Sequence, residues 1–118
     1  MNSEKVYGMR FGKIYPLLVS KAERKGRTRD EVNQVITWLT GYTPEDLEQA
    51  AAGPLTYGDF FRNAPRFNPN WEHITGVVCG VRVEAIEEPL MRKIRCLDKL
   101  IDELARGKDM GCILRGRQ

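Results

Sequence analysis

At 118 residues and 13.5 kDa, with 42% hydrophobic and 30% charged residues, the chain has the size and composition of one folded domain. Its net charge of +3 and isoelectric point of about 8.9 fall short of the strongly basic values that mark nucleic-acid-binding domains. The longest apolar run near the N-terminus is Leu17-Leu18-Val19, too short for a secretory segment or for the ~18 apolar residues that cross a bilayer, so no membrane attachment and a cytoplasmic location are expected.

The first element is expected in RFGKIYPLLVSKAERKG, with apolar residues at 11, 14, 15, 17, 18, 19 and 22 in helical spacing. Proline is tolerated in the first helical turn, so Pro16 predicts a start near Lys13 or Ile14 and a stop at Gly26. In TRDEVNQVITWLTGY, Thr28 and Glu31 form a capping box, Val32, Val35, Ile36 and Leu39 make one apolar face, and Gly41 ends the helix. TPEDLEQAAAG repeats that grammar: Thr43 caps, Pro44 takes the first helical position, Asp46 reaches back, and Gly53 stops it.

One or two helical turns are expected after Thr56, with Phe60 and Phe61 inward, followed by a loop through RFNPNW. Residues 74–82 are open between a strand and a short helix, because short β-branched runs are not assigned by periodicity alone; a hairpin over 74–86 would bend at Gly80. A sustained stripe at 83, 86, 90, 94, 97, 101 and 104 leads into the clearest helix, PLMRKIRCLDKLIDELARG, opened by Pro89 and ended by Gly107. Glu88 with Arg92, Lys99 with Glu103 and Asp102 with Arg106 stand four apart along it. The fold class expected is mainly α, a single domain over 1–118 of four to five helices; an α+β arrangement with a short hairpin is the alternative. The ordered core is expected over about 7–107, leaving a partly mobile tail at 108–118 in which Cys112-Ile113-Leu114 is free to dock.

Chemistry is sparse. Cys79 in GVVCG stands off centre for a nucleophile elbow, and the single histidine, His73, reaches it only if the chain folds back. Its valine neighbours make it look like a small buried hydrophobe. Cys79, Cys96 and Cys112 form no C-x-x-C pair, which argues for reduced thiols and against a zinc site. Glu84, Glu87 and Glu88 read as a solvated acidic face, so no metal and no cofactor are expected. The glycine-rich phosphate loops are missing.

The segment KAERKGRTR gathers Lys21, Arg24, Lys25, Arg27 and Arg29, the best candidate for a polyanion surface, although cations near a helix C-terminus are favourable without any ligand. Helices 28–40 and 44–52 could be mistaken for a helix-turn-helix, but PEDLEQAAA would offer a nucleic acid three carboxylates and no cation. Seven aromatics from Trp38 to Trp71 suit a core more readily than a pocket. Along the C-terminal helix, Met91, Cys96 and Leu100 widen the apolar stripe beyond one partner helix, which predicts a homodimer face.

Together, KAERKGRT, WLTGY, DFFRNAP, ITGVVCGVRVE, EEPLM and IRCLDKLIDELARGK resemble a small bacterial family, domain of unknown function 2200, from about Tyr7 to Arg115. The resemblance implies a bacterial cytoplasmic protein with no assigned activity and no catalytic residues to carry over. Three readings follow: a non-enzymatic module with an unknown protein partner, which leads; a nucleic-acid-binding accessory protein acting through residues 21–29; and a small-molecule or thiol-dependent enzyme acting through Cys79.

Overall fold

The computed structural model describes residues 3–115. Its elements run in the order α1 (Ser3–Tyr7), α2 (Phe11–Glu23), α3 (Arg29–Thr40), α4 (Pro44–Ala52), α5 (Tyr57–Arg62), β1 (Val77–Val78), β2 (Val81–Arg82), α6 (Pro89–Ala105) and α7 (Met110–Ile113). The mainly helical class holds. Seven α-helices appear among the described residues rather than four or five, because the two extra ones, α1 and α7, are short pieces near the ends.

The caps form as their sequences dictate. Thr28 accepts from Glu31 N at 3.1 Å while Glu31 Oε1 accepts from Thr28 N at 2.9 Å, and Thr43 with Asp46 repeats the exchange at 3.1 and 3.0 Å. Pro89 sits in the first turn of α6, and Glu88 accepts the amides of Leu90 at 3.3 Å and Met91 at 2.9 Å.

The start of α2 differs from expectation. The helix begins at Phe11, and Pro16 lies inside it on the exposed side. Long-range backbone bonds fix that start: Phe11 N donates to Leu55 O at 2.9 Å and Tyr57 N to Met9 O at 2.6 Å, with Arg10 bridging Thr56. Phe11 is fully buried, its ring 4.1 Å from that of Phe60, so burial of a large aromatic outweighs the one helical bond that Pro16 forgoes. Gly12 is required by packing, since a Cβ there would come 2.3 Å from Ala51 O where α2 crosses α4.

Helix α6 is the centre. It packs against α2, α3, α5 and α7, and against β1 and a short 3-10 turn at Val83–Ala85. Its inward residues Ile94, Leu97, Leu100, Ile101 and Leu104 join Phe11, Val32, Ile36, Leu39 and Phe60 in one core. Residues 66–68 close the end of α3, with Arg66 N on Thr40 O at 3.1 Å and Asn68 N on Leu39 O at 2.8 Å. The stretch expected as loop contains a 3-10 turn, Pro69–His73, capped by Asn68.

Residues 74–82 resolve as the hairpin. β1 and β2 are antiparallel with Val78 opposite Val81, leaving Cys79 and Gly80 as a two-residue turn, both at positive φ (52° and 76°). That is the signature of a type I′ hairpin.

Candidate functional site

The five basic residues of segment 21–29 do not stay together. Lys21, Arg24 and Lys25 line an open groove of about 960 Å³ between α2 and the end of α6, facing Asp102, Ala105 and Arg106. Asp102 is bound from both sides: Lys21 Nζ lies 3.3 Å from Oδ1, and Arg106 Nε lies 2.8 Å from Oδ2. Arg27 turns away. Its guanidinium pairs with Glu31 at 2.8 Å and donates to the carbonyls of Leu104 at 3.2 Å and Lys108 at 2.8 Å. That Arg27 contact, ahead of the Thr28 amide, holds the Glu31 carboxyl below its usual value. Arg29 lies over the Tyr15 ring, 5.8 Å from its centroid. Arg106 completes the groove and was visible in the sequence only as a helical partner of Asp102; nothing local placed it beside α2.

The expected dimer face is not a surface. Met91, Cys96 and Leu100 are all buried by the chain's own elements. The stripe is wide because α6 is covered on several sides, by α2 and α3 and by the 69–86 segment. Cys96 Sγ reaches the Trp71 carbonyl at 3.7 Å, and burial pushes its thiol up to about 12.

Cys79 is exposed, against the expectation of a buried hydrophobe, because the two-residue register directs Val78 inward and puts Cys79 at the hairpin tip. Among the described residues no hydrogen bond joins Cys79 to His73, which is also exposed. Cys112 is exposed on α7, so exposure does not single out Cys79 among the thiols. The acidic stretch is also more structural than expected: Glu84 accepts Gly76 N at 2.9 Å beneath the hairpin, and Glu88 caps α6 and accepts from Tyr7 Oη. Glu88 therefore does not pair with Arg92, whose guanidinium lies 4.9 Å from the Trp71 ring centroid. No group of three or more potential metal ligands is found among the described residues.

A second groove, of about 540 Å³, opens between α3, the start of α4 and the C-terminal segment. Trp38, Pro44 and Leu114 supply its apolar lining, and Asp30, Asn33 and Gln34 its polar edge. Thr37 Oγ1 is buried there without a hydrogen-bond partner. Tyr15 Oη donates to Asn33 Oδ1 at 2.5 Å from below. The Tyr15 hydroxyl is held above its usual value chiefly by burial, with Glu48 and Asp30 both near enough to add to the shift. Asp30 and Glu48, together with Glu45 beside Pro44, are exposed and make no ion pair among the described residues. Of the seven aromatics, Tyr57, Phe60 and Phe61 are core as expected, whereas Trp38 is half-buried and faces this groove.

Leu114 reaches the groove because the C-terminal segment is docked. Ile113 and Leu114 are buried, and Arg115 pairs with Glu103, itself only 3% exposed. Lys108 and Lys99 lie 3.5 and 3.9 Å from the same carboxylate oxygen. The part of the expected mobile tail at 116–118 lies outside the described residues.

A family model described as "Uncharacterized protein conserved in bacteria (DUF2200)" matches residues 5–115. The chain belongs to the DUF2200 family. This DUF2200 chain is also similar to the solved structure of "uncharacterized protein SP1917", at 49% identity and a TM-score of 0.90, over 96% of this chain and 93% of that one. No curated protein matches it. No helix among the described residues is long and apolar enough to cross a membrane.

Proposed function

We propose that the protein is a non-enzymatic protein-interaction module that takes a short basic, amphipathic segment of a partner into the groove between α3, α4 and α7. The observation that carries this reading is Trp38, half-buried in an apolar lining with Pro44 and Leu114. A tryptophan anchored in its own helix loses little conformational freedom on binding and offers a large contact, the usual character of an interface hot spot. Charge sets the partner's chemistry. Asp30 lines the groove without an ion-pair partner, and α4, whose Pro44 also lines it, carries the exposed and likewise unpaired Glu45 and Glu48, so an apolar side chain entering it is best flanked by lysine or arginine.

Selection of displayed random peptides on the immobilised protein tests this, followed by fluorescence-anisotropy titration of the selected peptides, fluorescein-labelled, with the parent and variant proteins. Peptides carrying an aromatic or aliphatic residue beside Lys or Arg are expected. Their affinity should fall about 30-fold or more in Trp38→Ala, the loss of about 2 kcal/mol typical of a hot-spot tryptophan. It should also fall in Gln34→Arg, a change on an exposed position that leaves the core untouched. Selected peptides that bind both variants like the parent, or selection that yields no basic motif, would overturn the reading.

A further inference from the structure

We infer that the groove between α2 and the C-terminal end of α6 binds the phosphate backbone of a single-stranded nucleic acid, with Lys21, Arg24, Lys25 and Arg106 as the phosphate contacts. Four cations and one carboxylate line it. The carboxylate, Asp102, orients rather than cancels: it holds Lys21 on one wall and Arg106 on the other, at 3.3 and 2.8 Å. Arg24 and Lys25 are exposed and make no ion pair or side-chain hydrogen bond among the described residues. Cations near a helix end are ordinarily explained by the negative end of the helix dipole. Here that task falls to Arg27 for α6, since its guanidinium takes the Leu104 and Lys108 carbonyls. At the end of α2, Arg24 and Lys25 gain only the dipole contribution and hold no side-chain partner among the described residues, while Lys21 and Arg106 share Asp102.

The arrangement favours a strand over a flat anionic membrane. Cations on two facing walls meet a linear series of phosphates from both sides, whereas a bilayer surface touches one wall at a time. One nearby feature would serve a membrane instead: Leu17, 64% exposed, lies one turn before Lys21 on α2. It supplies the discriminating variant.

Fluorescence anisotropy of a fluorescein-labelled oligouridylate, titrated with the full chain over a series of salt concentrations, tests the proposal. Phosphate contacts on a single strand each contribute about 0.7 to the slope of log affinity against log salt, so four predict a slope of about −2.8. Arg24→Gln/Lys25→Gln should bring the slope to about −1.4, and Arg106→Gln should lower it by about 0.7. Arg29→Gln, an equal loss of charge outside the groove, should leave it unchanged, and so should Leu17→Ser. Arg29→Gln weakening binding as much as Arg24→Gln would reduce the effect to bulk charge and overturn the site. So would the absence of salt-dependent binding to the oligonucleotide. Sedimentation with phosphatidylserine–phosphatidylcholine vesicles, abolished by Leu17→Ser, combined with no oligonucleotide binding would assign the surface to a membrane instead.

Discussion

Cys79 occupies a backbone position that L-residues other than asparagine and aspartate enter at a cost, with φ at 52° in the first central place of the hairpin turn. Gly80 beside it, at φ 76°, has open space around it, so the turn itself, and no neighbour, sets both conformations. Replacing Cys79 with Asn gives the residue pair most favoured for this turn. Thermal melting should show Cys79→Asn more stable than the parent by about 0.5–1 kcal/mol, and Cys79→Val less stable, because β-branching resists positive φ. The valine-rich flanks suggested burial for this thiol because composition reports the neighbourhood. Which face a residue takes depends on register, and in strands of two residues the register comes from the turn.

Among the elements, α6 is held at its start by a carboxylate rather than by the commoner hydroxyl. Glu88 accepts two backbone amides, and Tyr7 donates its hydroxyl to it from α1, so one side chain caps the longest helix and ties down the N-terminal one. Tyr7 is pushed up to about 12, first by burial and then by its contact with Glu88; that same contact, ahead of the Met91 and Leu90 amides, holds Glu88 below the ordinary 4.5. The sign follows from linkage. The unfolded chain takes up the Glu88 proton first, so its contribution is full above about pH 4.5 and is lost as pH falls through the lower folded value. Glu88→Ala should cost about 1 kcal/mol at neutral pH, on the scale of a lost cap, and urea melts of parent and variant should converge as the pH is lowered below 4. The caps of α3 and α4 could be read from sequence because the groups concerned lie within three residues of each other, whereas Glu88 read as a solvated carboxylate and a partner of Arg92. The start of α2 could not, since its partners are Leu55, Thr56 and Tyr57.

For the whole molecule, the radius of gyration of 13.2 Å matches a single domain of this length, and α6 runs through its middle with Leu100 fully buried. A charge placed at that position is cut off from solvent inside the apolar core. Leu100→Glu is therefore expected to unfold the chain rather than to dissociate a dimer, because a penalty of several kcal/mol meets a total stability of about 5–15 kcal/mol. Circular dichroism should show lost helix at 25 °C; a native spectrum with a halved mass by light scattering would return the residue to an interface. The two grooves also belong to this scale. One depends on the docking of residues 108–115 through Glu103, which carries Leu114 to Trp38, and the other on the approach of α6 to α2, which carries Arg106 to Arg24 and Lys25.

By itself the sequence determined the helical class, the caps and stops of α3 and α4, the opening of α6 at Pro89 and its stop at Gly107, and the aromatic core around Phe60 and Phe61, because these rest on 3.6-residue periodicity and on hydrogen bonds spanning one turn. Only the tertiary structure decided which apolar stripe is covered and by what, which way Cys79 faces, and which cations share a groove. Each of those depends on contacts between residues tens of positions apart, and an apolar or basic side chain looks the same in sequence whether its neighbour is solvent, a second molecule or its own chain.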